Sequence, residues 1–104
     1  MQISTNTDGS VEGSAALAAM TETIVQGALG RFSDRITTVE VHFADENGVR
    51  RGPEDKRCTI EARLEGLKPF AVSHDAPNLE LAVRGAADKL KRLIDSTLGR
   101  LRDR

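Results

Sequence analysis

Few side chains in this 104-residue chain are able to do covalent or acid–base chemistry: Cys58, His42, His74, and the turn-side carboxylates Asp45 and Asp75. A catalytic nucleophile needs a base within hydrogen-bond reach and a third group to orient that base, and no such set is spaced out here. Cys58 is in phase with Ile60 and Leu64, which makes it an inward-packed thiol. His42 alternates with Val41 and Phe43 and falls beside Glu40 on a wet face, whereas His74 ends a short apolar run with its side undetermined. Two histidines and one cysteine without close spacing do not make a zinc site. Gly9-x-x-x-Gly13 lacks the Lys-Ser/Thr of a phosphate loop. Asp45, Glu46, Asn47 and Gly48 have neither the spacing nor the setting of a calcium loop. The chain therefore reads as no enzyme, with no metal, no cofactor and no small-molecule substrate.

Charge is the chemistry that remains. From Arg84 onward there are seven Lys/Arg against Asp88, Asp95 and Asp103, a net of +4, while the rest of the chain carries −5 and the total is −1. Such a stretch attracts phosphates without reading sequence. The i, i+4 pairs Arg84–Asp88, Asp88–Arg92 and Lys91–Asp95 offset part of the charge, at about 0.3–0.5 kcal/mol each. Lys89 and Arg100 have no acid at i±4 and lie near one flank. Arg102 and Arg104 fall in the last turn, where cations complement the helix dipole. Phe32, Phe43 and Phe70, the only aromatics, all fall on apolar faces, leaving no platform for stacking bases.

The elements that must position these cations follow from periodicity. Residues 78–104 form one amphipathic helix, with Leu79, Val83, Ala86, Ala87, Leu90, Leu93, Ile94, Thr97, Leu98 and Leu101 on a stripe that a sheet should cover. Residues 1–7 are a short strand, Asp8-Gly9-Ser10 a turn, and Ser14 an N-cap. Residues 15–32 are a helix whose main stripe is Leu17, Met20, Ile24, Ala28 and Phe32, with Thr21, Val25 and Leu29 beside it. Strands follow at 36–44, 56–65 and 70–74, the first two joined by a hairpin connection containing Asn47-Gly48 and Gly52-Pro53. The segment 75–78 is a break, with Pro77 at the helix start. The order β-α-β-β-β-α implies first strands parallel or nearly so, later strands antiparallel, and both helices on the buried side of a four-stranded mixed sheet, an α+β two-layer sandwich.

Length points to a single domain, 1–104, able to build a core without staples. One cysteine permits no internal disulfide and suits a reducing cytoplasm. No apolar run is long enough to span a membrane, and the N-terminus has no signal-peptide pattern.

The run Ala86-Ala87-Asp88-Lys89-Leu90-Lys91-Arg92-Leu93, the strand ending Leu64-Glu65-Gly66, and Phe32 followed by Ile36 and Val39 together resemble the ribosome hibernation promoting factor and ribosome-associated inhibitor family over essentially the whole chain. The resemblance implies a fold like double-stranded-RNA-binding domains, in a short form with no second domain. It also implies a cytoplasmic, non-enzymatic regulator that binds the small ribosomal subunit and its ribosomal RNA and blocks the mRNA/tRNA channel in stress or stationary phase. The family's RNA contacts carry over to Lys89, Lys91, Arg92 and Arg100, with Arg31 and Arg35 at the end of the first helix. One departure is plain: no Lys or Arg lies between Ser14 and Gly30, where the family is usually basic. The alternative is a protein–protein module of the same fold that has lost RNA binding; a homodimer through the wet sheet face or an edge strand is a third reading.

Overall fold

A computed structural model of the chain describes residues 1–45 and 55–103. The elements are β1 (Gln2–Thr7), α1 (Ala15–Leu29), a 3-10 turn (Gly30–Phe32), β2 (Ile36–Asp45), β3 (Lys56–Leu64), β4 (Phe70–Ala76) and α2 (Leu79–Arg102). They form one four-stranded sheet in the order β1-β2-β3-β4. β1 runs parallel to β2, and the β2–β3 and β3–β4 pairs are antiparallel. A helical crossover brings the chain back to start β2 in the same direction as β1, whereas direct strand-to-strand connections reverse it. The α+β sandwich expected from the order of elements is the one observed. The Asn47-Gly48 and Gly52-Pro53 turn signals, Glu46 of the calcium-loop comparison, and Arg104 lie outside the described residues.

Alternation decides the two faces of the sheet. Val39, Val41 and Phe43 of β2 and Cys58, Ile60, Ala62 and Leu64 of β3 are buried, and their neighbours point to solvent. α2 lies over β3 and β4, while α1 lies beside α2 and over β1. Helix α1 begins where the Ser14 hydroxyl accepts from the Leu17 amide at 3.0 Å, worth about 1 kcal/mol. Its buried face is Leu17, Thr21, Ile24, Val25 and Leu29, with Met20 and Ala28 only half-buried. The helix is thus rolled toward the residues expected beside the stripe. Thr21 tolerates full burial because its hydroxyl donates to the Leu17 carbonyl at 2.8 Å.

Several boundaries differ from expectation, three of them for a visible reason. The α-helical geometry stops at Leu29, which adopts φ −109°, ψ 1°, and the chain tightens into the 3-10 turn that still buries Phe32. β3 ends at Leu64, one residue short, before a turn that Gly66 makes at φ +80°. β4 continues to Ala76 instead of breaking at Asp75, because Asp75 is held by Arg57 across the strands at 2.8 and 3.2 Å and Ala76 is buried.

Candidate nucleic-acid interface

Helix α2 is the platform. Asn78 stands outside it as the N-cap, its Oδ1 accepting from the Leu81 amide at 2.8 Å. Ala82, Val83, Ala86, Ala87, Leu90 and Ile94 are buried, and the small side chains let the helix approach closely. Leu93, at the edge of the stripe, is 38% exposed, and beyond Ile94 the stripe runs past its cover: Thr97 and Leu98 are half-buried and Leu101 is 42% exposed. Coverage was expected along the whole stripe. A 24-residue helix is about 36 Å long, and the 7-residue β4 about 23 Å, so the last turns have no sheet beneath them.

The expected contact residues fall on different sides of this helix. Lys89 turns to the open edge of β4, where its ammonium donates to the Ser73 carbonyl at 3.0 Å. Arg100, three turns on, donates to Ser96 Oγ at 2.8 Å and Thr97 Oγ1 at 3.4 Å. Arg92 pairs with Asp88 on the outward crest. Lys91 is half-buried and lies about 200° round the helix from Lys89, in the row of Ala87, Asp95 and Leu98 that faces α1 and the 3-10 turn. Two of the expected i, i+4 pairs are replaced. Arg84 bonds Glu80 at 3.0 Å instead of Asp88, and Asp95 pairs with Arg31 instead of Lys91. Every one of these pairs is solvent-exposed, so each is worth under about 1 kcal/mol and yields to a competing anion.

Arg31 and Arg35 are brought together with a third cation, Arg102, expected only to complement the helix dipole. The three line an open cleft of about 350 Å³ with Phe32, Asp95 and Leu98. The Arg31 guanidinium lies over the Phe32 ring, 4.8 Å from its centroid. Arg35 is fixed through its backbone: its amide donates to the Phe32 carbonyl at 2.8 Å and its carbonyl accepts from the Glu65 amide at 3.1 Å. The spacing 91, 95, 98, 102 on one helix row is the signal that places Arg102 with Asp95; nothing local places either beside Arg31.

The opposite face of the sheet has a different character. Glu40 stands directly across from Glu61, Arg63 leans on Glu61 at 3.5 Å, and Arg57 is held by Asp75. His42 is exposed there opposite Thr59. On the inner face Cys58 and His74 are register partners, yet they do not form a nucleophile–base pair. Burial pushes the Cys58 thiol up to about 12 and keeps it protonated, and the His74 ring is packed against Gly85 of α2. Among the described residues no group of His, Cys, Asp and Glu is placed to hold a metal ion, and no helix is long and apolar enough to cross a membrane.

Residues 6–102 match the family described as Sigma 54 modulation protein / S30EA ribosomal protein. The chain belongs to this family. It is the ribosome hibernation promoting factor family that the last-helix, strand and Phe-Ile/Val motifs resemble. No curated protein sequence matches the chain. The S30EA-type fold recurs in solved structures. The Protein Y N-terminal domain of Thermus thermophilus is 20% identical with a TM-score of 0.74, over 93% of this chain and 99% of that one. A ribosomal subunit interface protein from Coxiella burnetii is 18% identical with a TM-score of 0.63, over 100% of both chains. In this S30EA-family chain α2 carries six Lys/Arg and the 3-10 turn carries Arg31, whereas α1 carries none.

Proposed function

We propose that this chain is a non-enzymatic, cytoplasmic regulator of translation. It binds the small ribosomal subunit through ribosomal RNA and occludes the mRNA/tRNA path during stress or stationary phase, with residues 1–104 acting as one unit. The family match over residues 6–102 carries the reading. The distribution of charge supports it: exposed cations cluster on α2 and the turn after α1, while the far sheet face is a mixed surface paired within itself. Lys89, Lys91, Arg92, Arg100, Arg31 and Arg35 are the proposed contacts. Their guanidinium and ammonium groups meet the phosphate backbone, and the rigid sandwich supplies the bulk that excludes mRNA and tRNA. Recognition by shape and backbone is how folds of this kind read structured RNA.

Co-sedimentation with purified small subunits tests the proposal. The wild-type chain is expected to pellet at low salt, and Lys89→Glu with Arg92→Glu to lose pelleting while the unfolding midpoint moves by less than about 3 °C, as befits exposed side chains. Absence of wild-type pelleting at low salt overturns it. The bare α1 surface favours a second reading, a protein–protein module of the same fold. Partners that stay bound in nuclease-treated lysate support that reading, and partners lost with the RNA support the first.

A further inference from the structure

The cleft between the 3-10 turn and the end of α2 has the chemistry of a phosphate site. Its three guanidinium groups come from separate places: Arg31 in the turn, Arg35 before β2, Arg102 in the last helical turn. Planar forks of this kind hold phosphate oxygens in pairs. Phe32 and Leu98 give the cleft an apolar floor, and Asp95 is the one acid in its lining. Among the described residues neither Arg35 nor Arg102 has a carboxylate within ion-pair distance, whereas Arg31 is engaged by Asp95. Asp95 also has Lys91 one turn before it, and among the described residues Lys91 has no ion pair.

We propose that this cleft binds one phosphate group of an RNA strand, and that Asp95 occupies it in the free protein as an internal competitor. An arriving phosphate takes Arg31, Arg35 and Arg102. Asp95 then moves from Arg31 to Lys91, a partner within reach at i, i+4 although in the weaker, base-before-acid order. The Arg31–Asp95 pair is exposed and the Lys91–Asp95 pair joins a half-buried ammonium to an exposed carboxylate; both are weak, so the exchange is governed by the incoming anion. The choice of RNA rests on the ribosomal reading above; the cleft's affinity for phosphate does not.

Amide chemical shifts of the folded chain, titrated with inorganic pyrophosphate and separately with a short single-stranded oligoribonucleotide, test the inference. Both ligands are expected to move amides of residues 31–35 and 95–102. Asp95→Asn should tighten oligonucleotide binding by about fivefold and Arg35→Ala should weaken it by about as much, the scale of one exposed charged contact. Glu40→Gln removes the same charge from the far sheet face, away from every proposed contact, and should change binding by less than about twofold. Equal effects of Asp95→Asn and Glu40→Gln, or shifts that map elsewhere, overturn the inference while leaving ribosome pelleting untouched. Pyrophosphate binding without oligonucleotide binding overturns the assignment to RNA. If pelleting fails but the cleft still responds to both ligands, the ribosomal reading falls and the site stands.

Discussion

A Cβ on Gly85 would stand 2.1 Å from Cδ2 and 2.3 Å from Nε2 of His74, so the imidazole occupies the space that glycine leaves on α2. Gly85→Ala should therefore destabilise the fold by about 1–3 kcal/mol through overpacking, against the usual gain of about 1 kcal/mol for alanine over glycine inside a helix. In a His74→Ala background the sign should reverse, and denaturant unfolding of the four proteins measures the coupling. Cys58 offers a pH-dependent counterpart. Its folded pKa, about 12, lies above the ordinary thiol value of 9.0 because burial disfavours the thiolate. Its contribution is complete below pH 9 and is lost as pH rises from 9 toward 12. The stability difference between wild type and Cys58→Ala should be flat up to pH 9 and shift against the wild type above it. The inward phase of Cys58 was legible from alternation. His74 is in phase with Phe70 and Val72, but its side stayed open because the strand was expected to end on it, where extended geometry need not persist.

At the scale of elements, helix α2 shows where periodicity stops being informative. Leu90 and Leu101 share one sequence stripe, yet Leu90 is fully buried and Leu101 is 42% exposed. Leu90→Ala should cost about 2–5 kcal/mol, and Leu101→Ala less than about 0.5 kcal/mol, read as denaturation midpoints at constant slope. A stripe reports which residues share a side of a helix, whereas the length of the partner sheet decides how many of them are covered. The same limit applies to α1. Two adjacent apolar rows compete for the core there, and Thr21 joins the winning one only because its hydroxyl finds a carbonyl within its own helix.

For the whole molecule the governing quantity is the separation of charge between a basic α2 and an acidic remainder. Contact with about four to six phosphates should give a slope of roughly −3 to −5 for log K against log salt concentration, measured by pelleting with small subunits across a salt series. A slope near zero would mean that the cations remain in their internal pairs on the ribosome. Loss of the Arg31–Asp95 pair alone should barely alter unfolding, because exposed pairs contribute under about 1 kcal/mol.

The order of elements, the parallel first pair, the faces of β2 and β3, the cap at Ser14 and the concentration of cations in the last quarter were determined by the sequence alone, because period, turn chemistry and composition are local properties. The tertiary structure alone decided that Asp95 meets Arg31, 64 positions away, that Arg102 joins Arg31 and Arg35, and that the last turns of α2 stand clear of the sheet. Each depends on how far one element extends past another and on which helix flank the packing presents, and no local pattern carries either.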